Sequence, residues 1–487
     1  MRLSYLSNAV GLILIYVGIV ILLPIIVALI YGEFTSIHPF LQASIISVTV
    51  GLSLRHLVKG ANNAETLNDI NKSEALLTVA VSWIMFALVS AIPYLSFGLS
   101  PINSLFEAAS GITTTGATIL TNFDYPKAFF FWRSLTQWLG GLGIIVLFIA
   151  VLPQFAVAGR QMFSAEAPGP TEDKFTPRIR NTASALWKVY IGLTLCAIIL
   201  FKLAGMPIFD SVCNSLSTLS AGGFSPNPDS IMGYNSRLIT WICIFFMFFS
   251  GASFSLQYKA IVKRNIKLIF NSEEFRWYAG MFLLMSGLIC ISLLIHKHDV
   301  YASVTDSIYQ VISVATTTGS VSVDYTKWEF TPKILLYVVM FMGACSSSAG
   351  GGIKFNRWIL IFKYKKNSIT KILHPNAVIN IKLDGMIVPA EVISQIIMFV
   401  MTYFILFGIS AIVISILEHN LIIGLSSSIA SIGNVGPAMG HIIGPMGSYD
   451  SLSVSTKLIL IINMIVGRLE LIPFLVLFQR DFWNFRK

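Results

Sequence analysis

Ten long apolar segments divide the chain, and short polar or glycine-rich stretches separate each segment from the next. A membrane-spanning helix needs about 20 mostly apolar residues. The pattern therefore predicts about ten crossings of a bilayer, all of them helical. The segments fall near residues 9–31, 39–54, 75–97, 128–152, 185–204, 238–258, 277–295, 333–362, 391–417 and 457–478.

Four shorter apolar stretches, each leading into a polar turn with a glycine, recur between these segments at intervals of 97 to 117 residues. They read FEAASGITTTGAT, SVCNSLSTLSAGGFS, YQVISVATTTGSVS and LSSSIASIGNVGPA, and their matched glycines are Gly116, Gly222, Gly319 and Gly436. The apolar part of each is about half the length that a span requires, so each predicts a half-helix that enters and leaves the membrane on one side.

The repeat sets the predicted fold class, an all-α polytopic membrane protein. Four pseudo-symmetric units of helix, pore helix, filter strand and helix would surround one ion pore, after an N-terminal helix pair. The predicted boundaries are 1–72 for the helix pair and 73–160, 161–270, 271–375 and 376–487 for the four pore units.

Composition and charge agree with a membrane location. Of the 487 residues 55% are hydrophobic and 11% are charged, whereas a soluble domain has about 25% charged residues, so a soluble enzyme, a disordered chain and a disulfide scaffold are excluded. The net charge of +10 comes from short basic clusters between apolar runs, which favours topology signals over nucleic-acid binding. With the N-terminus inside, 24 Lys and Arg residues lie on the cytoplasmic side and seven lie outside, which predicts cytoplasmic N- and C-termini.

The four polar turns suit the passage of a cation. Irregular backbone at membrane depth must be buried in protein or line a water path, and inward-facing carbonyl groups can replace the water shell of an ion. Each preceding half-helix would direct its partly negative C-terminal end at the common axis. The turns contain no Asp or Glu, which favours a large monovalent cation over Ca²⁺. Close helix packing is the alternative for one such turn, but four in register favour an ion path.

Two features further along the third and fourth units predict a gate. Residues 343–352 are all Gly, Ala, Cys or Ser, and this run predicts a loop inside the membrane that occludes the path, with Gly350, Gly351 and Gly352 at its end. A tightly packed helix face is the alternative. Arg468 lies about ten residues into an apolar span, where a charge costs about 2.5–3.5 kcal/mol unless it faces a wet interior. We expect Arg468 to face the path and to contact the loop carbonyls.

The turn sequences TTTGAT, STLSAGGFS, TTTGS and GNVGPA, in this order, resemble the four filters of the Trk/Ktr/HKT superfamily of potassium transporters. WRSLTQWLGGLGIIVL, SAEAPGP, GACSSSAGGGIKFNR and GRLELIPFLVLF are similar to its TrkH-type bacterial subunit, and the resemblance covers nearly the whole chain. It implies potassium uptake across the bacterial cytoplasmic (inner) membrane, with K⁺ as the transported ion, no cofactor and no enzymatic activity. Ala221 departs from the pattern, since a bulkier aliphatic residue is expected there.

The resemblance also implies the roles of particular residues. The carbonyl groups of the two residues before each filter glycine would hold K⁺, and an intramembrane loop would act as a gate. The implied K⁺-binding residues are Thr114, Thr115 and Gly116; Ser220, Ala221 and Gly222; Thr317, Thr318 and Gly319; and Asn434, Val435 and Gly436. TrkH-type subunits are homodimers that dock on a cytoplasmic nucleotide-binding ring of the TrkA type, so the same partners are expected here.

Two further readings remain open on the sequence. A proton-coupled K⁺ symporter would usually need a relay of acids or histidines within the membrane, and the spans contain almost none. A secondary transporter of another solute would usually have inverted repeats, whereas these repeats are parallel. The near absence of clustered His, Asp or Glu in the spans also argues against a membrane-embedded enzyme.

Overall fold

The structure, a computed structural model, describes residues 3–56, 72–151, 175–377 and 379–471. An N-terminal helix pair comes first. Its first span consists of α1 (Leu3–Val20) and α2 (Leu23–Tyr31), and its second span is α3 (Ile37–His56). Small residues let α1 and α3 approach closely, because a side chain on Gly51 would clash with the carbonyl of Gly11. The Ser47 hydroxyl donates to the Leu14 carbonyl across the same contact (2.7 Å).

Four helical units follow, and each contains a half-helix. The first has α4 (Lys72–Ser96), α5 (Pro101–Ile112) and α6 (Lys127–Val151); the second has α7 (Phe175–Leu203), α8 (Ile208–Leu219), α9 (Arg237–Gly251) and α10 (Phe254–Val262). After the short α11 (Lys267–Asn271), the third has α12 (Glu273–Ile295), α13 (Val300–Ala315), α14 (Phe330–Val339) and α15 (Phe355–Leu373). A hairpin of β1 (Lys382–Leu383) and β2 (Met386–Ile387) precedes the fourth, which has α16 (Ala390–Leu417), α17 (Leu421–Ile432) and α18 (Val454–Arg468).

The all-α membrane architecture predicted from the sequence is confirmed, but the crossings are less regular than predicted. Among the described residues, six helices are long and apolar enough to span a membrane, and the pair α9 and α10, bent by 97°, adds a seventh. In the third unit, the helix after the polar turn is interrupted between α14 and α15. In the fourth unit, α18 ends at Arg468. The predicted unit boundaries stay predictions, and the one at residue 160 lies outside the described residues.

The half-helices α5, α8, α13 and α17 are the pore helices of the predicted repeat, with 12, 12, 16 and 12 residues. Local sequence fixes where three of them begin, because Ser100, Asp299 and Asn420 accept hydrogen bonds from backbone N–H groups of the first turn. Their last turns are buried by the surrounding helices. Four short helices thus end in the protein interior, where each begins an irregular turn.

Candidate ion pathway

All four pore helices end in the same backbone turn. In each turn, the first residue has a left-handed φ, the second does not, and the third is a glycine with a left-handed φ. The pairs are Thr114 (52°) and Gly116 (81°), Ala221 (57°) and Gly223 (77°), Thr317 (60°) and Gly319 (70°), and Asn434 (55°) and Gly436 (95°). A non-glycine residue rarely adopts this conformation, so four copies indicate one shared backbone design.

The register of the second turn differs by one residue from the sequence assignment. Gly223, not Gly222, matches the other three glycines in φ. The N–H of Gly222 donates to the Ser217 carbonyl (2.9 Å), as the N–H of Thr115 donates to Ser110 (2.9 Å). Ser220 therefore lies one residue too early, as the C-cap of α8. Two adjacent glycines caused the error, because spacing alone does not distinguish them.

The four turns close into a ring. A Cβ placed on Gly116 would lie 2.1 Å from the carbonyl oxygen of Gly222, and one on Gly223 would lie 2.1 Å from that of Thr318. A Cβ on Gly319 would lie 2.1 Å from the Val435 carbonyl oxygen, and one on Gly436 would lie 2.4 Å from the Thr115 carbonyl oxygen. Each glycine thus gives room to a carbonyl of the next turn, and the fourth turn returns to the first. Four equivalent backbone carbonyls are brought around one axis.

Side chains outside the ring hold individual turns in place. The amide of Gln137 donates to the Gly222 carbonyl (2.7 Å), and its oxygen accepts from the Phe224 N–H (3.1 Å). The Tyr449 hydroxyl donates to the Gly436 carbonyl (2.8 Å). The Asn434 side chain donates to the Thr115 hydroxyl (3.0 Å), which ties the fourth turn to the first. These contacts fix the backbone without placing a carboxylate in the ring.

A buried ion pair supports the first turn from behind. The Arg133 Nε donates to Glu107 on α5 (2.7 Å), and both side chains are buried. The Glu107 carboxylate also accepts from the Thr118 hydroxyl (3.1 Å) and from the Ile119 N–H (3.1 Å). Glu107 therefore supports the extended segment that follows the turn, because it accepts hydrogen bonds from Thr118 and Ile119 there.

The small-residue run forms the predicted break. Residues 340–354 are not helical and connect α14 to α15, so the run interrupts the helix instead of forming a packed helix face, and its role as an occluding loop stays a prediction. Ser347 and Gly352 have left-handed φ values of 57° and 67°. A Cβ on Gly350 would lie 2.7 Å from the Thr316 carbonyl, and one on Gly351 would lie 2.8 Å from that of Gly433. The loop is therefore packed against the ends of two pore helices.

Hydrogen bonds hold the loop from several sides. The N–H of Gly351 donates to the Thr317 hydroxyl (2.7 Å), which joins the loop directly to the third turn. The Lys354 ammonium donates to the Gly350 carbonyl (2.8 Å). From α12, the Glu274 carboxylate accepts from the N–H and hydroxyl of Ser346 (2.7 and 2.6 Å) and from the N–H of Asn356 (3.2 Å). Glu274 thus binds one end of α15 and the middle of the loop together.

Arg468 is buried at the end of α18 and makes the expected contact with the loop. Its guanidinium donates to the Ala349 carbonyl (2.9 Å) and to the Gly140 carbonyl on α6 (3.2 Å). The nearby carboxylate of Glu470 pairs with Arg357 instead. The buried guanidinium of Arg468 therefore adds a positive charge beside the loop, where the buried ammonium of Lys354 also lies.

Several site residues were missed by sequence reasoning. Glu274 is a charge two residues into a span, which is a signal of a buried partner. Lys354 follows the small-residue run by two residues, and Gln137 is a polar residue within an apolar helix. The Thr317 hydroxyl gave no signal, because its bond to the loop depends on tertiary contact. Within the described ranges, no group of three or more His, Cys, Asp or Glu side chains could hold a metal ion.

The ring of turns and the loop beside it define a polytopic membrane protein with one central path. The TrkH family profile, described as cation transport protein, matches residues 37–484. The "Trk system potassium uptake protein TrkH" of Escherichia coli (strain K12) is 34% identical over 494 residues, covering 99% of this chain and all of the relative. TrkG of the same strain is 31% identical over 95% of this chain and 94% of its own length.

A solved structure also shows the similarity to TrkH proteins. The crystal structure of the potassium transporter TrkH from Vibrio parahaemolyticus superposes with a TM-score of 0.88 at 29% identity, covering 99% of this chain and all of that one. The chain belongs to the TrkH family of cation transport proteins. It is accordingly a transport protein and not an enzyme, as the family resemblance implied.

Proposed function

We propose that this chain carries K⁺ into the cell through the ring of four turns. The observation that carries the proposal is the closed sequence of glycine-to-carbonyl contacts from Gly116 around to Thr115. Carbonyl oxygens around an axis suit a weakly hydrated monovalent cation. The relatives named as potassium uptake proteins support K⁺ as that cation. In the register of the structure, the carbonyl pairs are those of residues 114 and 115, 221 and 222, 317 and 318, and 434 and 435.

In this proposal, the loop 340–354 and Arg468 close the path below the ring. The position of the loop against the Thr316 and Gly433 carbonyls, at the ends of two pore helices, supports occlusion. The Arg468 contacts keep the loop in place and add electrostatic repulsion of a cation. The membrane potential, worth about 2.3 kcal/mol per charge per 100 mV, then drives K⁺ inward when the loop moves.

The direct test is uptake of rubidium or potassium into proteoliposomes, with pH and voltage varied separately. We expect uptake that follows the voltage, that prefers K⁺ to Na⁺ and that does not need a pH gradient. Uptake that requires a pH gradient at fixed voltage would favour the proton-coupled alternative. Equal Na⁺ and K⁺ uptake would contradict carbonyl selection of K⁺ by the ring.

We further propose that the chain acts as a homodimer in the inner membrane, with its basic segments 153–188 and 354–389 facing a cytoplasmic nucleotide-binding partner of the TrkA type. In the second segment, α15 directly follows the loop, so a force on α15 could move the gate. The ammonium of Lys363 is occupied by Glu273 (2.6 Å), whereas Lys365 and Lys366 are exposed. Lys365 and Lys366 are therefore the better test positions.

The docking test is binding of the purified partner to the Lys365→Glu and Lys366→Glu double variant, together with flux in ATP, ADP or NADH. We expect binding to weaken and the nucleotide response to be lost. The matched control is Lys297→Glu, in a loop that the charge pattern places outside. If the double variant keeps both properties, α15 is not the docking surface.

A further inference from the structure

A groove of about 870 Å³ lies on the outer surface of the third unit, between α12, α14, α15 and α16. The groove is lined almost entirely by apolar side chains, and two of these, Trp277 and Leu284, are at least half exposed. Apolar cavities of this kind do not hold ordered water well, because a buried water needs two to four polar partners. In a bilayer, an open apolar groove takes up hydrocarbon.

The sequence builds the groove by helical spacing. On α12, Glu273, Arg276, Gly280 and Leu284 lie three or four residues apart and so share one face. Gly280 deepens the groove, since a Cβ placed there meets no atom within 4 Å. An acyl chain that extends along this face from Arg276 past Gly280 to Leu284 would cover about 12 Å of the helix, at 1.5 Å rise per residue.

Two polar groups of the groove match the head of a phospholipid. Among the residues that the structure describes, the guanidinium of Arg276 has no hydrogen-bond or ion-pair partner, and a guanidinium suits a phosphate. The carboxylate of neighbouring Glu273 is neutralised by Lys363. The buried indole N–H of Trp358 lacks an acceptor within the described part of the chain, and an ester carbonyl would supply one.

We propose that this groove is a phospholipid site, with an acyl chain against Gly280 and Leu284, an ester carbonyl at Trp358 and the phosphate at Arg276. The basic pattern predicts that the start of α12 faces the cytoplasm, and Lys263, Arg264 and Lys267 just before it are exposed. Basic groups there favour lipids of the cytoplasmic leaflet. Met342 and Phe355, which line the groove, belong to the loop and to the first residue after it, so a bound lipid forms one wall of the loop.

The test is native mass spectrometry of the full chain, delipidated and then titrated with phosphatidylglycerol. Gly280→Leu fills the groove and is expected to abolish the tightest bound lipid. Gly287→Leu is the matched control, because it lies on the same helix, has equal room for a Cβ and does not line the groove. Arg276→Gln is expected to weaken retention about tenfold, since it removes a charge-assisted bond to phosphate.

Equal retention by the parent chain, Gly280→Leu and Gly287→Leu would show that the lipid is only annular and would overturn the proposal. Arg276→Gln changes an exposed side chain, so it remains informative if Gly280→Leu fails to fold. A Leu284→Cys variant that cross-links to a second chain above the parent level would instead assign the groove to a dimer contact, which also overturns it. Binding is measured without transport, so the result is independent of the proposed K⁺ conduction.

Discussion

The ring of turns and the level just below it follow different rules. In the ring, four sequences as unlike as TTTG and GNVG adopt the same backbone, and each glycine makes room for a carbonyl of the next turn. Below it, the helices that follow the four turns differ from one another. In the first unit α6 is continuous, and in the second α9 and α10 are bent by 97°. In the third, α14 and α15 are separated by the loop 340–354, and in the fourth α18 ends at Arg468.

The difference follows from what each level has to do. A cation that loses its water shell needs oxygen atoms on all sides, so every quarter of the ring is constrained. In the function that we propose, a single obstruction closes the path, so one loop and one arginine would be sufficient below the ring. On that proposal, symmetry is kept where coordination of the ion requires it and is absent where one occluding element is enough.

The largest expected effect comes from breaking the ring at Gly223. Gly223→Ala would place a methyl group 2.1 Å from the Thr318 carbonyl oxygen at a φ of 77°, so backbone must move. We expect the K⁺ over Na⁺ preference in liposome flux to fall at least about tenfold, as a shift of about 1.4 kcal/mol produces. Gly116→Ser in the first turn should act in the same direction, because its Cβ meets the Gly222 carbonyl.

Gly222→Ala is the matched comparison for the register of the second turn. Its Cβ would meet the flexible end of the Gln137 side chain instead of backbone, and its φ is not left-handed. The effect on selectivity should be smaller than that of Gly223→Ala. A larger effect at Gly222 would return the second turn to the register expected from the sequence.

The next effect concerns Arg468. Arg468→Ala removes two charge-assisted hydrogen bonds to Ala349 and Gly140 and the positive charge itself. Bonds of this type contribute about 1.5–3 kcal/mol each, so resting flux should rise about tenfold or more. Arg357→Ala is the control, because Arg357 pairs with Glu470 and not with the loop. Reduced resting flux in a folded Arg468→Ala protein would mean that Arg468 supports an open path instead of closing it.

A smaller effect is expected from Glu274. Glu274→Gln keeps the shape of the side chain but removes its negative charge, so the bonds from the N–H groups of Ser346 and Asn356 are no longer charge-assisted and the loop loses about 1 kcal/mol of support. Resting flux should rise about fivefold. The adjacent Glu273→Gln changes the contact with Lys363 and leaves the loop bonds intact. Equal responses of the two variants would remove Glu274 from the gate.

The smallest effect separates the two threonines at equivalent places in the first and third turns. The Thr317 hydroxyl accepts from the N–H of Gly351, whereas the Thr114 hydroxyl has no hydrogen-bond partner among the described residues. Thr317→Val should raise resting flux about threefold to fivefold through the lost bond, and Thr114→Val should raise it less. The measurement is resting flux of each variant in liposomes without a partner protein. Similar changes in both variants would mean that the ring does not hold the loop.

Periodicity and turn chemistry were enough to predict the all-α membrane architecture, the four half-helices and the break in the helix at residues 343–352. The length of an apolar run and ten consecutive small residues are local properties, and the structure follows them. The register at Gly222 and Gly223 was not local, because it depends on which glycine meets the Thr318 carbonyl of the third unit. The bonds of Glu274 and Thr317 to the loop also join separate helices, so no spacing along the chain encodes them.

The bond between Asn434 and Thr115 has a consequence for how the protein is made. Its two residues are 319 positions apart, and Gly436 packs against the backbone carbonyl of Thr115. The first turn is therefore synthesised long before its final neighbour exists, and it must wait in the membrane with one side of the ring missing. During that interval, three units present polar backbone without the fourth. Insertion of α17 is the step that completes the pore, so a nascent chain stalled before residue 421 has no finished path for ions.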